Sequence, residues 1–140
     1  MTLVAAIVII LAAVAVPRFG SALTHYRLEA AARRVAADLR LARRSARFAS
    51  ASRRVKFEVG DDEYTLPDMA DIDHSDDTYT VSLAGEPYRA EIISADFNGS
   101  PNVSFDGYGR PDNGGSVVIQ IGARQRTITV DADTGEASVQ

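Results

Sequence analysis

The chain has no cysteine, no tryptophan and only two histidines in 140 residues. Without thiols there can be no disulfide, no thiolate metal site and no cysteine nucleophile, so stability must come from packing. His25 and His74 stand in no suggestive spacing with a serine and a carboxylate, which argues against nucleophilic catalysis. A phosphate-cradling loop is also missing: Gly107-Tyr108-Gly109-Arg110 is short and sits between strand-like runs, not before a helix. The expectation is a protein that is not an enzyme and holds no cofactor or metal.

Two acid-rich stretches bear on that expectation. Residues 67–77 place Asp68, Asp71, Asp73, Asp76 and Asp77 around His74, but without the ordered oxygens, central glycine and distal glutamate of a calcium loop. A solvated, mobile loop is expected there. Residues 131–136 (DADTGE) lie between alternating runs and are read as a hairpin turn with Gly135 in the left-handed conformation.

Charge is divided along the chain. Residues 1–56 carry eleven Lys/Arg against Glu29 and Asp38, a balance of +9, whereas residues 57–140 carry Arg89, Arg110, Arg124 and Arg126 against seventeen acids, or −13. A basic stalk and an acidic head suit contact with nucleic acid or membrane, or the placing of stalks beside the heads of neighbouring copies. Residues 1–16 (MTLVAAIVIILAAVAV) carry no charge. That run is short of the ~20 residues needed to cross ~30 Å of hydrocarbon, and it has no basic segment before it of the kind a secretory signal requires. Nothing else in the chain is apolar enough to enclose it as a core helix. It reads as a membrane helix missing its beginning, ended near Pro17, which removes a backbone donor and is expected to kink the helix at the membrane boundary.

Beyond Pro17 the period is helical to about residue 48. Leu28, Val35, Leu39, Ala42, Ala46 and Ala49 form one stripe that seeks a partner surface, while Arg33, Arg40, Arg44 and Arg47 form a basic row expected to be solvated. Glu29 and Arg33 suit an i,i+4 pair. After Arg54 the period becomes two: Val55, Phe57 and Val59, then Tyr79, Val81 and Leu83, then Ile128 and Val130 alternate with polar residues. Further strands are expected within 63–66, 88–97, 102–106, 116–122 and 136–139, separated by Gly, Asn, Asp and Pro turn signals. The chain therefore divides into 1–17, the membrane or filament-core half of the helix; 18–52, an amphipathic stalk; and 53–140, a β-rich head. The fold class is α+β, a long N-terminal helix packed on a small antiparallel two-sheet head.

The helix from Ala12 through Pro17-Arg18-Phe19 and on through residues 26–43 (YRLEAAARRVAADLRLAR) resembles the type IV pilin-like proteins, specifically the GspH/FimT family. In the head, Phe105-Asp106-Gly107-Tyr108-Gly109-Arg110-Pro111 resembles that family's Phe-Asp-x-x-Gly-Arg-Pro segment, and Ile128-Thr129-Val130 with Thr134-Gly135 resembles its closing hairpin. The middle of the chain, 60–100, matches only in style. Family members begin with a short basic leader ending in Gly, cut before a Phe-Thr-Leu-x-Glu segment and N-methylated on the new terminus. Aligned on Pro17, the usual glutamate falls just before Met1, so the chain is expected to start at an internal methionine.

The resemblance implies a minor pseudopilin of a type II secretion filament: a single-pass inner-membrane protein with its head in the periplasm, contacting other pilin-like subunits through its N-terminal helix and supporting the export of folded proteins. The alternative is a FimT-like minor pilin serving pilus assembly or DNA uptake. Gly122-Ala123-Arg124-Gln125-Arg126 resembles a Gly-Arg-x-Arg DNA-contact motif displaced by Ala123, which makes Arg124 and Arg126 the DNA-contact residues under that alternative. The −13 head opposes a polyanion. The +9 flank would stay cytoplasmic under the positive-inside rule, whereas the family places it in the periplasm; a cytoplasmic-facing anchored binding module is a third reading, which requires that no leader precede Met1.

Overall fold

Alanine-rich sequence with no interior glycine or proline after Ser21 favours uninterrupted helix, and the first element, α1 (Thr2–Ala49), runs to the expected end. The computed structural model describes residues 2–140, with side chains given from Gly20 onward. The apolar run 1–17 and the kink expected at Pro17 thus lie outside the described side chains. Among the described residues no helix is long and apolar enough to cross a membrane.

Eight strands follow: β1 (Arg53–Glu58), β2 (Glu63–Ala70), β3 (Thr78–Ser82), β4 (Glu91–Asp96), β5 (Asn102–Phe105), β6 (Gly115–Ile121), β7 (Arg124–Val130) and β8 (Ala137–Val139). They form two antiparallel four-stranded sheets, in the orders β3-β2-β1-β5 and β4-β6-β7-β8. One long helix on two antiparallel sheets is the α+β arrangement expected from the sequence. The strand at 63–66 extends further than its alternation suggests, to Ala70, with the register shifting between Leu66 and Ala70. Pro67 lies in that gap, where a residue with no N–H costs the ladder nothing.

The core lies where both sheets meet α1. Leu28, Val35 and Leu39 are buried against Val55, Leu66, Phe105, Ile119 and Ile128 as one cluster, and Ala31, Ala32, Ala36, Ala42 and Ala46 complete the helix face. Five buried alanines keep that face flat enough for strands to approach. Ala49, expected on the same stripe, is exposed because the helix ends there and Ser50 takes a positive φ of 49°. The two sheets are joined through Phe57 of β1, whose ring lies 6.0 Å from that of Phe97 after β4 and 5.5 Å from that of Tyr64 on β2. At the far end of β1, Asp62 accepts the Ile92 N–H through its carboxylate at 2.8 Å and the Leu83 N–H through its carbonyl at 2.9 Å.

Candidate functional site

The polar chemistry of the chain collects where α1 is held to the head. On the side facing β2 and β3, Asp38 is 5% exposed. Its carboxylate accepts hydrogen bonds from the Tyr64 hydroxyl at 2.5 Å, the Tyr79 hydroxyl at 3.0 Å and Arg34 Nε at 3.0 Å, and Arg34 Nη2 donates to the Tyr79 hydroxyl at 2.7 Å. Every member of the network therefore has a partner, as a buried polar cluster requires. Burial, followed by the Asp38 charge, raises the pKa of both tyrosines. Burial works against the Arg34 charge, but the bond to Asp38 and its charge more than reverse this, and the Arg34 pKa is raised.

The sign of the tyrosine shifts fixes a pH dependence. A folded-state pKa above the unfolded value of ~10 gives stability that is whole below pH ~10 and is lost as pH rises beyond it. The melting temperature should fall between pH ~9 and pH ~11 more steeply in the parent than in a Tyr64→Phe/Tyr79→Phe variant, whose two buried sites no longer titrate. Equal slopes would show that neither tyrosine is coupled to folding.

On the opposite flank, three arginines of α1 reach the loops at the tops of the sheets. Arg40 pairs with Glu136 at 3.1 Å and donates to the Ala137 carbonyl at 2.7 Å; Arg43 pairs with Glu136 at 2.9 Å and donates to the Gly109 carbonyl at 3.2 Å; Arg47 donates to the Tyr108 carbonyl at 3.0 Å. The basic row expected to be solvated is thus partly used to hold the head, since a guanidinium on a long stem can stay wet and still donate to a carbonyl. Arg33 and Glu29 make the expected pair, at 3.6 Å.

The segment 105–111 is the receiving loop for those arginines. Phe105 is fully buried and bridges Pro111; the Asp106 carboxylate accepts the N–H groups of Tyr108 and Arg110 at 2.9 and 3.0 Å, and its backbone closes on Arg110 and Gly109. Those backbone bonds, from Arg110 first and Tyr108 next, lower the Asp106 pKa. The Arg110 side chain points to solvent. Gly109 is buried with φ +80°, and a Cβ there would run into the Arg47 side chain. Gly109→Ala should cost about 1–3 kcal/mol, read as a lower melting temperature, and more than Gly122→Ala. Gly122 also has positive φ (61°) but nothing within 4 Å. Equal losses would mean that the loop does not press on the helix.

The 131–136 turn is the hairpin expected: Gly135 has φ +74°, and Asp131 Oδ1 accepts from the Asp133 and Thr134 N–H groups at 2.9 and 2.8 Å. The Thr134 and Asp133 backbone bonds lower the Asp131 pKa.

Arg124 and Arg126, at the β6–β7 turn, are brought to the lower part of α1. Arg126 Nε lies 3.1 Å from Glu29 and Arg124 Nη2 donates to the Ser21 hydroxyl at 2.9 Å. Neither is near segment 105–111, which binds the helix from Arg43 to Arg47. Glu58, Asp61 and Glu63 bring carboxylate oxygens within 4.8 Å of one another, but Lys56 Nζ sits 3.0 Å from Glu58 and supplies a counter-charge. The residues that sequence reasoning missed are Arg34, Asp38, Tyr64, Tyr79, Arg43 and Glu136. One signal was available: Asp38 is a carboxylate set between Val35 and Leu39 on the apolar stripe.

The sequence model of one protein family, Type II transport protein GspH, matches residues 31–134. No curated protein and no solved structure gives a match.

Proposed function

The chain belongs to the GspH family, and from that premise we propose that it is a minor pseudopilin of a type II secretion filament, supporting the export of folded proteins. The family match over residues 31–134, from within α1 through β7, carries this reading. In it, residues 1–17 anchor the chain in the bacterial inner membrane as a single pass, and the head lies in the periplasm. Extraction into a filament removes an apolar helix from lipid at ~0.8 kcal/mol per methylene, so neighbouring pilin-like helices must rebury it. The ties from α1 to both sheets support a subunit whose head and helix move as one piece during that step.

The FimT-like alternative would use Arg124 and Arg126 against DNA phosphates. Their bonds to Ser21 and Glu29 and the acidic head favour the secretion reading. Deleting the gene in its host and measuring both the release of folded exoproteins and the uptake of DNA tests the assignment. Loss of release with uptake intact is expected; loss of uptake with release intact would overturn it in favour of the alternative.

A further inference from the structure

Among the described hydrogen bonds and ion pairs between head and helix, the bond from Arg124 Nη2 to the Ser21 hydroxyl, at 2.9 Å, lies nearest the start of α1. Gly122 and Ala123 join the paired residues Ile121 and Arg124 as a two-residue turn, with Gly122 at φ +61°. Both are exposed, and a Cβ on Gly122 would meet nothing within 4 Å. The tip of the β6–β7 hairpin is therefore open on its outer side.

Its charge differs from that of the rest of the head. Residues 57–140 balance at −13, yet 115–130 contain Arg124 and Arg126 and no acid. Glu29 lies 3.1 Å from Arg126 and compensates it. Arg124 is exposed and has only the Ser21 hydroxyl as a side-chain partner among the described residues. A neutral acceptor leaves the guanidinium charge uncompensated and most of its five donors free.

The depth of that charge follows from the helix. Ser21 stands four residues past Pro17, ~6 Å along the axis at ~1.5 Å per residue. A bilayer adds ~5–8 Å of headgroups to each side of its ~30 Å hydrocarbon core. With residues 1–17 in the hydrocarbon, Ser21 falls in the headgroup layer and Arg124 falls there with it. Leu23 and Tyr26 are 37% and 72% exposed on the same stretch. Helical side chains lean toward the N-terminus, which brings the Tyr26 ring down toward the interface that tyrosine favours.

We propose that the β6–β7 turn is a lipid-binding element, in which anionic headgroups of the membrane that holds residues 1–17 take the Arg124 guanidinium. Phosphate oxygens match its planar fork. The proposal rests on one part of the reading above, the anchoring of residues 1–17 in the inner membrane. The contact holds the head against the bilayer before extraction, and lifting the subunit into a filament breaks it.

The absence of cysteine allows one label at a time. The full chain carrying Ala123→Cys, an exposed position, is labelled with a fluorophore and reconstituted in vesicles whose headgroups carry a nitroxide quencher. The vesicles are phosphatidylcholine alone or an equal mixture of phosphatidylcholine and phosphatidylglycerol. Quenching should be stronger in the mixture, and a label at Ser52→Cys, exposed beyond the far end of α1, should show little in either. Arg124→Gln should cut the excess quenching in the mixture about fivefold. Arg124→Lys should keep most of it, and Ser21→Ala should leave it unchanged, since the charge and not the hydroxyl bond makes the contact.

Equal quenching in the two kinds of vesicle, or quenching indifferent to Arg124→Gln, overturns the proposal. A turn label that answers to added duplex DNA and not to anionic lipid also overturns it, in favour of the FimT-like alternative. Flotation of the vesicles in high salt separates the contact from the anchoring. A chain that floats without headgroup quenching removes the contact and leaves the anchor, whereas a chain that does not float removes both. Exoprotein release unaffected by deletion of the gene, with Arg124-dependent quenching intact, removes the pseudopilin assignment and leaves the contact.

Discussion

Phe57→Ala is expected to lower the melting temperature of the full chain by about 10–20 °C, the equivalent of about 3–5 kcal/mol. Phe57 is 2% exposed, and its ring stands between Tyr64 of its own sheet and Phe97 at the edge of the other. Truncation removes the aromatic contact between the sheets and leaves a cavity that fully buried neighbours can fill only by moving strands. The loss should not be uniform. Hydrogen exchange should rise along β1 and β4, which Phe57 and Phe97 tie together, before it rises in β7 and β8, which α1 covers directly. Thermal unfolding with exchange mass spectrometry measures both, and a shift under about 3 °C would show that the sheets are held together through α1 and not through Phe57.

Comparing Phe57 with Arg40 explains what could be read from the sequence. Phe57 alternates with Lys56 and Glu58, and a period of two states which face is buried whatever the sheet packs against. That rule marked the runs at 55–59, 79–83 and 127–130, turn residues set off the other strands, and the helical period marked most of the stripe on α1. Arg40 and Arg47 obey no such rule. Their position on the helix gives a direction, but whether a carbonyl waits there depends on where segment 105–111 and the β7–β8 turn fall, which is set by tertiary packing. Gly109 shows the intermediate case. The resemblance to a Phe-Asp-x-x-Gly-Arg-Pro segment marked it, whereas its function as the surface pressed by Arg47 needed the fold. The hairpin arginines, marked by the resemblance as DNA contacts under the FimT-like alternative, lie in the structure against α1, Arg126 beside Glu29 and Arg124 beside Ser21.

Asp38→Ala is expected to be the most damaging change to a polar residue, costing about 3 kcal/mol. The buried Tyr64 hydroxyl would lose its acceptor and find no water in exchange, the expensive case for a hydrogen bond. Arg34 is spared part of that cost, because its side chain is 40% exposed and can turn to solvent. Asp38→Asn should cost less, since the amide keeps the shape and one accepting oxygen but not the charge-assisted bonds. The informative variant is Asp38→Leu with Tyr64→Phe and Tyr79→Phe, which removes donors and acceptor together. Apolar replacement of a satisfied buried cluster is often close to neutral, so its melting temperature should return to within a few degrees of the parent. If the network serves to fix where the β2–β3 hairpin sits on α1, that stable triple variant should still show faster hydrogen exchange in β3, an edge strand of its sheet. Parental exchange there would mean that Asp38 contributes stability alone, and that packing of Leu66 and Val81 already holds the hairpin in register.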